Sequence, residues 1–173
     1  MSKSVLCIVN SRSQASAIVE ELKSAGFAAN EISALFPDKD SSRDFAHDKA
    51  TKAPEGAAAG AATGTLLGGA LGWLAGIGAL AIPGLGPFIA AGPIMAALGG
   101  AGVGAAAGGL TGALIGLGIP EYEAKQYEGK IRGGNILLSV HTDDGDQVSK
   151  VKEIYKRHGA EDISYTGESK PPR

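Results

Sequence analysis

Pro83-Gly84-Leu85-Gly86-Pro87 stands inside a run, residues 56–119, that contains no Asp, Glu, Lys, Arg or His. Proline and glycine so closely spaced enforce a turn. On either side glycine recurs at every fourth position: Gly56, Gly60, Gly64, Gly68, Gly72 and Gly76 before it, Gly100, Gly104, Gly108, Gly112 and Gly116 after it. The intervening residues are mainly Ala, Leu and Ile. This pattern predicts two helices, residues 57–81 and 93–117, folded into a hairpin about the turn. A helix of about 25 residues is ~37 Å long, against a hydrocarbon core of ~30 Å. A charge-free segment of this length lies in lipid or is buried against protein.

The glycine stripes constrain the packing. Each interior glycine costs a helix about 1 kcal/mol relative to alanine. The compensation is close approach of backbones, as in small-xxx-small packing, so the eleven glycines named above are the candidate oligomerisation residues. An i+4 stripe drifts by about 40° per step, so one straight partner helix cannot follow it. A laterally packed homo-oligomer is therefore expected. Arg43, Lys49 and Lys52 flank one end of the run, and Lys125, Lys130 and Arg132 the other. By the positive-inside rule, a membrane-inserted hairpin leaves both polar halves in the cytoplasm. The alternative is a cytoplasmic, water-soluble shell or ring with the hairpin as its assembly core.

The polar halves repeat one programme. Val5 to Val9 reads as a strand, Ser11 to Ser13 offers helix caps, and Ala17, Ile18, Leu22 and Ala25 recur at helical spacing before Gly26. Glu31 to Phe36 reads as a second strand with Ile32, Ala34 and Phe36 on one face. Later, Ile136 to Val140 is a strand, a helix carries Val148, Val151, Ile154 and Tyr155 up to Gly159, and Ile163 to Thr166 is a strand. Two βαβ units predict an α+β, ferredoxin-like sandwich split by the long helical hairpin. The chain divides into residues 1–38 (first βαβ half), 39–55 (linker), 56–119 (glycine-zipper hairpin), 120–168 (a helix and the second half) and 169–173 (tail). Leu6 and Ile8 point opposite to Val5, Cys7 and Val9, so both faces of the first strand need cover. A helix from Pro120 to Ile131, or a sheet-to-sheet homodimer, would supply the second cover.

Composition sets further limits. The net charge of -2 over 173 residues leaves no basic footprint, so nucleic acid is not an expected partner. The single cysteine, Cys7, excludes an intramolecular disulfide and fits a reducing compartment. The apolar run at Val5–Val9 is too short for a secretory signal. Gly100-Ala101-Gly102-Val103-Gly104 lacks the dinucleotide-loop spacing, and Gly129-Lys130 is followed by Ile131 rather than Ser or Thr. Asp44, His47 and Asp48 read as a solvated segment, and His141 and His158 have no nucleophile at a meaningful sequence spacing. No catalytic, metal or cofactor-binding residues are expected. The chain reads as non-enzymatic, with itself and membrane lipid as partners; a small-ligand-sensing module is a further alternative, by fold analogy.

Several segments resemble the bacterial general stress (heat-induced stress) protein family. They are the Gly26-Phe27…Ile32-Ser33 turn, Asp44-Phe45-Ala46-His47, Thr51-Lys52-Ala53-Pro54-Glu55-Gly56, the glycine-zipper run, Gly118-Ile119-Pro120-Glu121-Tyr122-Glu123-Ala124-Lys125, and Gly134-Asn135-Ile136-Leu137-Leu138-Ser139-Val140-His141. The resemblance spans nearly the whole chain. It implies a stress-associated, membrane-associated bacterial protein and brings no catalytic residues with it.

Overall fold

Every strand of the sheet pairs antiparallel with its neighbours. A computed structural model describes residues 3–37, 74, 77–82, 86–95, 104–116 and 118–167. The elements are β1 (Lys3–Val9), α1 (Arg12–Ser24), β2 (Ile32–Pro37), β3 (Gly78–Ile82), β4 (Gly86–Ala91), α2 (Gly104–Gly116), α3 (Glu121–Arg132), β5 (Ile136–Thr142), α4 (Gly145–Arg157) and β6 (Glu161–Gly167). The six strands form one sheet in the order β3-β4-β2-β5-β1-β6. The protein is a mixed α+β fold. In each β-α-β unit, β1-α1-β2 and β5-α4-β6, a strand of the other unit lies between the two strands, so neither half can complete its hydrogen bonding alone.

The two units are built by the same local chemistry. Ser11 caps α1 by accepting from the Gln14 amide, and Asp144 caps α4 by accepting from the Asp146 amide. Each helix buries one stripe: Ala15, Ile18, Val19 and Leu22 in α1, Val148, Val151, Ile154 and Tyr155 in α4. Each ends in a Schellman closure, with the Phe27 amide donating to Leu22 O at 3.1 Å and the Ala160 amide to Tyr155 O at 3.0 Å.

Period-two alternation sorts the strands onto two faces. Val5, Cys7, Val9, Ile32, Ala34, Phe36, Leu138 and Val140 point to the first face, under α1 and α4. Leu6, Ile8, Leu35, Leu137, Phe88 and Ala90 point to the second, under α2, α3 and Ile94. The helix beginning at Pro120 does supply the second cover, through Ala124, Tyr127 and Ile131, and α2 adds Leu110, Ala113 and Leu114. No second copy of the sheet is needed for that purpose.

The middle of the chain departs from the expected helical hairpin. Residues 83–85 of the expected turn lie outside the described residues, and the segments on either side of them are β3 and β4, paired from Ile82↔Gly86 to Gly78↔Ala90. The reason is tertiary. The outer edge of β2 offers unpaired backbone groups, and β4 satisfies them from Ala34↔Ala91 to Pro37↔Phe88. Short apolar runs read equally as helix or strand by periodicity, so a waiting edge decides between them. Gly92 then turns the chain at φ +74, where an added Cβ would stand 2.2 Å from Ile32 O. In the second arm α2 spans Gly104–Gly116 and is broken at Gly109 (φ 57, ψ -140). Among the described residues no helix is long and apolar enough to cross a membrane. The first arm, Leu74 and 77–81 apart, and the segment Asp44–Asp48 lie outside the described residues.

Candidate functional site

The second face holds two features with functional content: a buried polar strip across the strands and a glycine face on α2. The strip begins where the apolar rows of β1, β2 and β5 give way to Ser4, Ser33, Ser139 and His141, and it continues to Thr166 on β6. Ser4, Ser33, Ser139 and Thr166 are all buried. Ser4 is in register with His141 on one side and Thr166 on the other, and Ser33 with Ser139. The His141 ring joins two strands to its own: Nδ1 meets Ser4 Oγ at 3.0 Å and Nε2 meets Ser33 Oγ at 3.2 Å. Ser33 Oγ also accepts from the Ile94 amide at 3.3 Å, which ties the chain beyond β4 to the strip.

Helix α3 runs antiparallel to β6 above this strip. Lys130 Nζ lies 3.6 Å from Glu161 and 3.5 Å from Asp162, and Tyr127 Oη meets Asp162 O at 2.7 Å and Ser164 Oγ at 2.6 Å. Burial, with smaller contributions that include the nearby charge of Glu123, pushes the Tyr127 phenol up to about 12, so it stays a neutral hydrogen-bonding group. Glu123 Oε2 and Thr166 Oγ1 are both buried and neither has a hydrogen-bond partner.

The sequence reading found no partner for His141. Its hydroxyl partners lie 137 and 108 residues away, beyond any local spacing rule. A signal existed nonetheless: Ser4, Ser33 and Ser139 fall on the same period-two phase as Leu6, Leu35 and Leu137. His158 has a structural role, with Arg157, in pairing to Glu21 and tying α4 to α1. Cys7 lies on the first face, and burial pushes its thiol well above the ordinary range.

Of the candidate oligomerisation residues, Gly104, Gly108, Gly112 and Gly116 lie on α2. Gly56, Gly60, Gly64, Gly68, Gly72, Gly76 and Gly100 lie outside the described residues. Beyond the break at Gly109, α2 has two distinct sides. Leu110, Ala113 and Leu114 are buried against the sheet and α3. Gly112 and Gly116 point the other way, beside Ile115, which is 43% exposed. A Cβ placed on Gly116 would meet nothing within 4 Å. Helix α2 is anchored to α3 by Glu128, whose Oε2 accepts from the Thr111 amide at 3.0 Å and from the Thr111 hydroxyl, while Oε1 accepts from Arg132 at 2.9 Å. An open groove of about 600 Å³ lies along this junction, lined by Thr111, Lys125, Glu128 and Arg132.

A smaller cavity of about 170 Å³ lies at the start of α1, beside Asn10, Ser11 and Arg12; the Arg12 guanidinium stacks 5.4 Å from the Phe36 ring. Among the described residues no group of three or more His, Cys, Asp or Glu side chains converges on a metal position. No protein-family model matches the chain, and no curated protein and no solved structure matches it.

Proposed function

We propose that this chain is a non-enzymatic, self-associating stress protein: a ferredoxin-like domain carrying a glycine-rich insertion that packs against the insertions of further copies at the cytoplasmic membrane. One observation carries the self-association. Helix α2 buries Leu110, Ala113 and Leu114 in its own domain and turns Gly112, Gly116 and the half-exposed Ile115 away from it. Gly116 costs helix stability while a Cβ there would meet nothing within 4 Å among the described residues, which is the balance expected of a helix–helix contact surface. The strand order β2-β5-β1-β6, with α1 and α4 on one face, supports the ferredoxin-like part of the reading. The membrane part rests on the charge-free run of residues 56–119, and the stress association on the resemblance of the motifs.

Gly116→Leu tests the contact. The monomer has room for the side chain, and a leucine favours helix over glycine by roughly 1 kcal/mol, so the domain keeps its fold. A fall in particle mass then reports a contact between copies. An unchanged mass, or a wild-type protein that is monomeric both in native membrane and in detergent, overturns the reading. Flotation of the wild type on a density gradient addresses location separately. A lipid-associated band that resists alkaline wash supports the membrane, whereas a discrete lipid-free particle supports a shell or ring with the insertion as its core.

A further inference from the structure

We infer that the outer edge of β3 is a second self-association surface, on which another copy of this chain adds its own β3 as the next antiparallel strand, with Ala79 of each copy opposite Ala81 of the other. The pairing takes a second copy as its partner and so rests on the self-association proposed above, but it uses a surface distinct from the outward face of α2.

Two prolines fix the direction in which each residue of β3 hydrogen-bonds. Residues opposite each other in an antiparallel ladder alternate between pairs that exchange both backbone bonds and pairs that exchange none. Pro87 has no N–H, so its pair with Ala81 is an unbonded one. Leu80↔Phe88 and Gly78↔Ala90 are then bonded pairs, and Ala79↔Ile89 is unbonded. The other side of β4 agrees. Pro37 opposite Phe88 is unbonded for the same reason, which leaves Phe36↔Ile89 and Ala34↔Ala91 as the bonded pairs. Phe88 and Ala90 thus bond toward β3, and Ile89 and Ala91 toward β2. In β3 the residues left pointing outward are Ala79 and Ala81, each with one N–H and one C=O. Among the described residues no strand lies on that side, and neither alanine has another backbone partner.

Unpaired groups at a sheet edge invite another strand, and proteins defend such edges with charge, irregularity or cover. The opposite edge of this sheet is defended. Strand β6 begins Glu161-Asp162, Asp162 holds φ 50, and the register with β1 shifts between Leu6 and Ile8. Gln126, Tyr127 and Lys130 also reach from α3 onto Asp162. Strand β3 has no charge in Gly78-Ala79-Leu80-Ala81-Ile82, and none occurs from residue 56 to 119, so nothing in this run repels a like copy. The edge also fits itself. A two-fold axis at Leu80 sets Ala79 of each copy opposite Ala81 of the other as bonded pairs, and no outward N–H or C=O of the two alanines is left over. Helix α2 packs against β3, so the edge continues the region whose outward glycines carry the first contact.

The test uses the full chain. Leu80→Cys places a thiol on the axis, opposite its own copy in an unbonded pair, where Cα atoms about 4.5 Å apart permit a disulfide. Mild oxidation should convert it to a covalent dimer. Ala79→Cys lies diagonal to its own copy at roughly 7–8 Å and should not cross-link, nor should the wild type, whose cysteine is the buried Cys7. Ala81→Pro removes an outward N–H and no bond to β4, so the fold is kept while the particle mass falls. Ala79→Lys puts a charge on the same edge and should lower the mass equally, which covers the case of a proline that disturbs β3. Gly116→Leu alone should stop at a dimer joined through β3, and Gly116→Leu with either edge variant should be monomeric. A Gly116→Leu protein that is already monomeric, a mass unchanged by both edge variants, or no cross-link from Leu80→Cys overturns the edge pairing and assigns the edge to another segment or another protein. Cross-linking of Leu80→Cys beside a mass unchanged by Gly116→Leu does the reverse: the edge pairing stands and the α2 contact falls.

Discussion

The two faces of the sheet are made by the same strands but obey different rules. On the first face the inward positions from Val5 to Val9 in β1 and from Ile32 to Phe36 in β2 are apolar, polar groups enter only at the end of the row, at Lys3 and its partner Thr142, and the core is continuous from Val5 to Phe36. On the second face the apolar row stops at Leu6, Leu35 and Leu137, and hydroxyls and an imidazole follow. Both faces are covered by helices, so exposure to solvent does not explain the difference. Burying a row of polar groups gains little stability even when each is satisfied, and costs stability where one is not. The first face therefore reads as the element that holds the fold, and the second as the element that carries specificity.

The sharpest way to break this comparison is to cut each face at its centre. Tyr155 is fully buried on the first face, and its hydroxyl donates to Val5 O at 3.2 Å. Tyr155→Ala should cost about 3–5 kcal/mol, the range for deleting a buried aromatic. Equilibrium denaturation would measure it, and a cost below about 1 kcal/mol would mean that the first face is not the main core. Ser33→Ala on the second face should cost less, about 1–2 kcal/mol, because it removes the hydroxyl that the Ile94 amide and His141 Nε2 share without opening a large cavity. A Ser33→Ala cost equal to that of Tyr155→Ala would erase the distinction between the faces.

The same contrast marks what the sequence could reveal. Elements of the first face carry their signals locally: a cap at Ser11, a stripe at Ile18 and Leu22, a stop at Gly26, and the same again from Asp144 to Gly159. The apolar second phase of β1 also announced that another cover was needed, and Pro120 marked where it starts. The second face was legible only to that point. Its polar strip depends on residues brought together from β1, β2, β5 and β6, and no spacing rule links Ser4 to His141. The hairpin of β3 and β4 was hidden for a related reason. Ala79-Leu80-Ala81 favours helix by composition, and the segment is strand because it pairs with β4, which is itself seated on the edge of β2, far away in sequence. The outward face of α2 was foreshadowed by the glycine period, although the break at Gly109 was not.

The smallest effect is a pH response confined to the second face, and its sign follows from Glu128. Burial pushes this carboxyl up, but the Thr111 hydroxyl and amide, and then Arg132, outweigh burial and hold it below its ordinary value of 4.5. A carboxyl lowered in the folded state adds stability that is fully present above the unfolded value and is lost as pH falls through the folded one. The contact between α2 and α3 should therefore loosen in acid below about 4.5, while α1 and α4 stay closed on the first face. Amide hydrogen exchange at Thr111, compared with Ile18 and Val151 across this range, would show the difference. Glu128→Gln should abolish the acid step, because a neutral amide keeps one acceptor for Thr111 but has no charge to lose. Equal acid sensitivity of both faces would instead mean that they open as one unit, and that the polar strip, the glycine face and the core share a single cooperative transition.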